Sequence, residues 1–198
     1  MSVNRNGLRH ILGTLLAIFA FAAMAAAQSS QADFSNIKIK NFGQMDERFY
    51  RGAQPKKDDY ESLKALGIKT VIDLQAEPKD YEKQIVESLG MHYVNIPMVD
   101  KAYPKAEDVE AFLKLANDPD TGKFYVHCAG GRHRTGAMGA AYRFTKYHWN
   151  YDQVYSEMKK FDFYTSWGHG DFKKFVEDYW AHMQAANTTA AVASSVGK

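Results

Sequence analysis

The feature that most limits how this chain can fold is a decapeptide, His127-Cys128-Ala129-Gly130-Gly131-Arg132-His133-Arg134-Thr135-Gly136, set between a short apolar run and a long helical pattern. Phe124 to Val126 read as a buried strand, and the spacing predicts a helix from about Thr135 to His148. A strand that passes through glycines straight into a helix belongs at the carboxyl edge of a sheet flanked by helices. Such a turn points successive backbone N–H groups at one spot, where the helix dipole also favours an anion. Gly130, Gly131 and Gly136 are predicted to allow the turn and to let the anion approach the backbone.

The rest of the chain alternates strands and helices. Ile37 to Phe42 and Arg48 to Arg51 read as short strands around a turn near Gly43. Helices are predicted over Asp58 to Leu66 and Tyr81 to Leu89, each stopped by a glycine, and strands over Ile68 to Leu74 and Met91 to Met98. A loop from Val99 to Pro104 precedes an amphipathic helix that buries Val109, Phe112, Leu113 and Leu115 and ends near Asn117. Two further helices, Tyr151 to Lys160 and Asp171 to Met183, follow the central one. The expectation is a single α/β domain over residues 37–184, with a central, mostly parallel sheet flanked by helices and a disordered tail over 185–198.

The first 27 residues constrain the compartment. Arg5 and Arg9 precede an uncharged apolar run from Ile11 to Ala27 that ends in three alanines, as a cleavable signal peptide does, and residues 28–36 form a flexible polar lead-in. At 17 residues the run is short of the roughly 18–20 that span a bilayer, so no stable membrane insertion is expected after cleavage. Without the leader, 23 basic residues balance 23 acidic ones. That neutrality argues against a nucleic-acid partner. An exported, periplasmic or secreted protein sits where disulfides form, yet Cys128 is the only cysteine in the sequence. It is either an inert buried residue or a reactive thiol.

Its neighbours favour the second. The N–H groups and helix dipole that hold an anion also stabilise a thiolate, which makes Cys128 a nucleophile at neutral pH. Arg134, six positions on, carries a planar fork able to hold two phosphate oxygens at once. The hydroxyl of Thr135 can donate to the sulfur, before attack and again when sulfur leaves.

The run His127-Cys128-x-x-Gly131-x-x-Arg134-Thr135-Gly136 resembles the Cys-x5-Arg-Ser/Thr loop of the protein tyrosine phosphatase superfamily, in its dual-specificity branch. The similarity extends through Tyr50 to Pro55, Val71 to Leu74 and Ile96 to Asp100, and so covers most of residues 45–165. It implies a two-step phosphoryl transfer with no cofactor, and an acid on an upstream movable loop. Asp100 stands where the family places that acid, ahead of Asp73, which lies in a predicted strand, and of Glu107 and Asp108, which look like first-turn helix charges. The resemblance also implies that Ala129, Gly130, Gly131, Arg132, His133 and Arg134 contact the substrate, a phosphorylated protein or a small-molecule phosphate.

The remaining polar residues have plainer readings. His127 is expected to hydrogen-bond backbone and orient the cysteine rather than transfer a proton, and Arg51 to form a structural salt bridge rather than reach the site. Arg132 and His133 are either solvated or favour substrates with several phosphates, as in inositol-phosphate-directed relatives. Phe161, Phe163, Tyr164 and Trp167 read as core, and the histidines lack metal-ligand spacing, so no metal is predicted. Two other function classes stand beside the phosphatase: a phosphoanion-binding module without turnover, and a rhodanese-type sulfurtransferase. The Arg-Thr-Gly ending fits phosphate better than the latter.

Overall fold

The computed structural model describes residues 34–196, with side chains as far as residue 189. The predicted signal peptide and most of the lead-in lie outside the described residues. Ser35–Lys198 form one unit. Its five-stranded sheet comprises β1 (Gly43–Gln44), β2 (Phe49–Ala53), β3 (Ile68–Gln75), β4 (His92–Met98) and β5 (Lys123–Cys128). They lie in the order β1-β2-β5-β3-β4. Only the β1 and β2 pair is antiparallel.

This order puts β5 in the middle of the sheet and fixes its end against both neighbours. Ala53 on β2 is level with Cys128, and Asp73 on β3 is level with His127. The decapeptide therefore leaves the sheet at the centre of its carboxyl edge, where an open α/β sheet places its ligand. Cys128 is the last residue of the strand rather than part of the turn.

The helices are α1 (Asp59–Ala65), α2 (Glu82–Ser88), α3 (Ala106–Asn117), α4 (Arg134–Tyr147), α5 (Tyr151–Lys160) and α6 (Gly170–Val196), with a short 3-10 turn at Pro119–Thr121. Helix α4 is buried from Arg134 to Phe144 and is packed by α3, α5 and α6. Its apolar run meets the sheet through an aromatic cluster in which Phe49 lies 4.9 Å from Phe124 and 5.1 Å from Tyr142, centre to centre. Each such side chain, fully buried, contributes about 1.5–3 kcal/mol. Gly136 serves this packing rather than the turn, since a side chain there would press on Met158 of α5.

Two expectations fail. Ile37 to Phe42 is not a strand: Asn41 takes a left-handed backbone conformation, and the segment lies against β2, where the Ala53 N–H donates to the Lys40 carbonyl at 2.8 Å. The strand antiparallel to β2 is two residues long and begins after that turn. The tail predicted as disordered over 185–198 continues α6 to Val196. Its alanines have the highest helix propensity of any residue, and the hydroxyls of Thr188 and Thr189 return to carbonyls one turn back, at 3.0 Å. Among the described residues no helix is long and apolar enough to cross a membrane.

Candidate active site

The turn after β5 is held from outside by its carbonyls. That of Ala129 accepts from the Gln54 N–H at 3.3 Å and that of Gly130 from the Asn41 side chain at 2.8 Å. The Gly131 carbonyl accepts from the guanidinium of Arg51. With three successive carbonyls turned to outer partners, the amides of the loop are left for whatever occupies its interior. Arg51 is fully buried and stacks its guanidinium 4.1 Å from the centre of Phe161. Burial lowers it to about 10 against the pull of the Cys128 charge, so it stays a cation at neutral pH. Among the described residues the predicted salt bridge is absent, because Arg51 braces the outside of the loop through a carbonyl and a ring.

Gly131 does not face the interior either. Its φ is +65°, and a Cβ there would fall 2.4 Å from the Gly52 carbonyl, so this glycine lets the loop lie directly on β2.

Inside the loop, Cys128 is 3% exposed. Burial pushes its thiol up, but Arg134, the Thr135 hydroxyl and the N–H groups of Thr135 and Gly130 outweigh burial and hold it below its ordinary value. The Thr135 hydroxyl is buried and has no other side-chain or backbone acceptor among the described residues.

Arg134 opens α4, and its guanidinium is steadied by the carbonyls of Met98 at 3.2 Å and Leu74 at 3.4 Å. These are ends of β4 and β3, so the sheet itself aims the fork. Asp100, on the loop after β4, comes within 3.8 Å of Arg134 and keeps about half of its side chain in solvent. Of its rivals, Asp73 is fully buried and Glu107 lies 3.6 Å from Lys105 at the start of α3.

Cys128, Arg134 and Asp100 line one pocket of about 240 Å³, with Ala129, Gly130, Arg132 and His133. Arg132 is answered by Asp162 at 3.5 Å. Three further residues line the pocket: Lys101 and His169, which the sequence did not mark for the site, and Tyr164, which it read as core. The segment between α5 and α6 folds back over the loop: His133 contacts the Tyr164 carbonyl at 3.0 Å and stacks on His169 with ring centres 3.7 Å apart. Burial, then His169, lowers His133 to about 4, so it is neutral. Tyr164 thus lines the site rather than filling the core, and Trp167 is 82% exposed, while Phe163 is buried as expected.

His127 has carboxylates, not backbone, as partners: Nε2 lies 2.8 Å from Glu82 and Nδ1 3.8 Å from Asp73, all three side chains fully buried. Glu82 looks like an ordinary helix charge in the sequence. Only the packing of α2 brings it under the loop.

Comparison with known proteins agrees with this geometry. The family described as a DSP-PTPase phosphatase fused to NAD+ kinase matches residues 19–173. The putative tyrosine-protein phosphatase OCA1 of Mycosarcoma maydis is 31% identical over 126 residues, 61% of this chain and 79% of that protein. Inositol diphosphatase DSP5 of Arabidopsis thaliana is 25% identical over 150 residues, 72% of this chain and 71% of that protein. In fold, the chain is similar to the core catalytic domain of the PP-IP phosphatase SIW14 from S. cerevisiae, with a TM-score of 0.62 over 76% of this chain and 94% of that one, at 19% identity. A lone cysteine at the end of a central parallel strand, an arginine opening the next helix and a match over most of the chain place this protein among the cysteine-based phosphatases, in the DSP-PTPase family.

Proposed function

We propose that this chain is an exported phosphatase that hydrolyses phosphate monoesters on protein side chains, phosphotyrosine foremost, through a cysteinyl-phosphate on Cys128. The observation that carries the reading is the convergence of Cys128, Arg134 and Asp100, from three separate elements, on one pocket. In the first step the Cys128 thiolate attacks phosphorus in line, the bond to the ester oxygen breaks, and Asp100 gives that oxygen its proton. Arg134 and the loop amides hold the equatorial oxygens. In the second step Asp100 takes a proton from water, the hydroxide oxygen bonds to phosphorus, and the P–S bond breaks to release inorganic phosphate and the thiolate. No cofactor enters either step.

The character of the pocket wall supports the aryl ester. Cys128 lines the pocket with 3% of its surface exposed. Above it stand Tyr164 and the His133 and His169 pair. Arg132 is partly neutralised by Asp162, and His133 is uncharged at neutral pH, so the mouth is less cationic than its composition suggests. Lys101 and Arg132, in the same pocket, favour a second reading: inositol polyphosphates or pyrophosphates handled by the same mechanism. The apolar leader ending in Ala25-Ala26-Ala27 supports export, which N-terminal sequencing of the protein made in its host checks.

The deciding experiment is a phosphate-release screen of the mature protein on phosphotyrosine peptides, phosphoserine peptides, inositol polyphosphates and inositol pyrophosphates, run beside Cys128→Ser. Highest kcat/KM on phosphotyrosine, abolished in the variant, is expected. Full activity in Cys128→Ser would falsify the covalent mechanism, and a preference for pyrophosphates would replace the first substrate reading with the second.

A further inference from the structure

Beyond the catalytic loop, two segments line the pocket: the acid loop after β4, and the stretch between α5 and α6. Both bring apolar side chains into solvent. Val99, exposed beside Asp100, lines a cavity of about 440 Å³ that adjoins the first through Asp100 and Arg134. Trp167, in the other segment, is 82% exposed, although tryptophan is among the more buried residues of folded chains. Its place is fixed from several directions. Trp167 belongs to a turn over residues 166–168, and His169 closes that turn, its N–H and its Nδ1 meeting the Ser166 carbonyl at 3.4 and 2.9 Å. The same imidazole stacks on His133 of the catalytic loop. On the amino side, the guanidinium of Arg132 lies 5.8 Å from the centre of the Tyr164 ring. A Cβ on Gly168 would fall 3.3 Å from the Lys101 side chain, so the residue after Trp167 rests on the acid loop. The backbone is left-handed at Trp167, at Lys101 and at Asp162, the partner of Arg132. Such conformations are rare for bulky side chains and gather at binding and catalytic sites.

We propose that Trp167 reads the polypeptide beside the phosphorylated side chain: its ring covers a large apolar residue of the substrate, such as leucine or phenylalanine, close to the phosphotyrosine. The inference deepens the protein-phosphatase reading above and rests on it. A rigid aromatic ring at the rim offers a large contact area with little rotamer freedom to lose, which is why tryptophan dominates many protein interfaces. An inositol polyphosphate presents oxygen at its surface and gives such a ring no comparable apolar area. A lipid surface calls for a whole apolar face, and Thr165, Ser166 and Gly168 beside the ring supply none. A peptide running out of the pocket meets the ring because His169, two residues on, already lines that pocket.

The test uses phosphotyrosine peptides on an alanine background, with leucine placed in turn at each nearby position on either side. They are assayed with the mature protein, Trp167→Asn and Trp167→Phe. Asparagine accepts a left-handed backbone, so Trp167→Asn keeps the turn and loses the ring. At one position leucine is expected to raise kcat/KM about fivefold over the alanine parent, through KM, as covering part of a leucine side chain implies. That preference should vanish in Trp167→Asn and persist in Trp167→Phe. In Cys128→Ser, which binds without turnover, the preferred peptide should shift tryptophan emission to the blue, and adding Trp167→Phe should remove the shift. A leucine preference that survives Trp167→Asn overturns the proposal, as do equal rates on every peptide. Equal rates together with binding to phosphatidylglycerol vesicles that is lost in Trp167→Asn would give the ring to a lipid surface instead. Should inositol pyrophosphate be cleaved and no peptide, the protein-substrate reading itself falls and takes this inference with it, an outcome distinct from peptide cleavage without preference.

Discussion

The guanidinium of Arg51 donates to the carbonyl of Gly131, 80 residues later in the chain, while its face lies 4.1 Å from the ring of Phe161. One buried cation thus ties β2 to the back of the loop. Arg51→Met is expected to leave that carbonyl unpaired, at about 1–3 kcal/mol. A loosened loop should bind vanadate roughly tenfold more weakly, since a loss of about 1.4 kcal/mol is a factor of ten in affinity. Asn41→Ala, which frees the Gly130 carbonyl, should act in the same direction with a smaller effect because its bond is only partly buried. Unchanged vanadate inhibition in both variants would show that the carbonyls need no outer partners.

Gly131 and Gly130 are adjacent but not equivalent. Gly131→Ala forces a Cβ into the Gly52 carbonyl in a left-handed backbone conformation, and the two penalties together predict a loss of roughly 2–4 kcal/mol. At Gly130 the nearest obstacle is the flexible Arg132 side chain at 3.5 Å, so Gly130→Ala should keep its stability and change only the pocket. Urea denaturation of the two variants side by side distinguishes them.

Asp100 stands 3.8 Å from Arg134 and needs no other partner to reach a leaving oxygen. Asp100→Asn is expected to lower kcat by about 10²–10⁴ on substrates whose departing oxygen needs a proton. Aryl phosphates with strongly acidic leaving groups should be spared most of this loss. Equal losses on both kinds of substrate would assign the acid elsewhere.

The stacked His133 and His169 pair makes stability depend on pH. His133 titrates at about 4 in the folded protein, against about 6.5 in an unfolded chain, so between these values the unfolded state binds more protons. The contribution of the neutral stack is complete above about pH 6.5 and declines as pH falls toward 4. His133→Phe, which keeps a ring against His169 but cannot take up a proton, should flatten the fall of Tm over that window. A Tm profile of the same slope in both proteins would refute this account.

Much of the fold was legible because it is local. The β-branched run at Ile68 and the glycines after α1 and α2 act within a few residues of where they stand. The loop was legible for the same reason: Cys128, Arg134 and Thr135 fall close together, so their spacing alone implies their chemistry. Ile37 to Phe42 misled because an alternating apolar pattern says nothing of the turn at Asn41, and 185–198 because low complexity hides the helical preference of alanine.

What the sequence by itself determined is the strand-turn-helix unit around Cys128 and the chemical types it holds. Only the tertiary structure decided which distant residues serve that unit. Asn41 and Arg51 take its carbonyls, Met98 and Leu74 aim Arg134, Tyr164 and His169 wall its pocket, and Glu82 pairs His127 beneath it. None of these has a fixed sequence offset from Cys128, because each is brought in by sheet order and helix packing. Buried polar groups must find partners wherever the fold supplies them. A short motif can therefore state what its loop does, while the residues that hold its shape and charge are fixed only when the chain is folded.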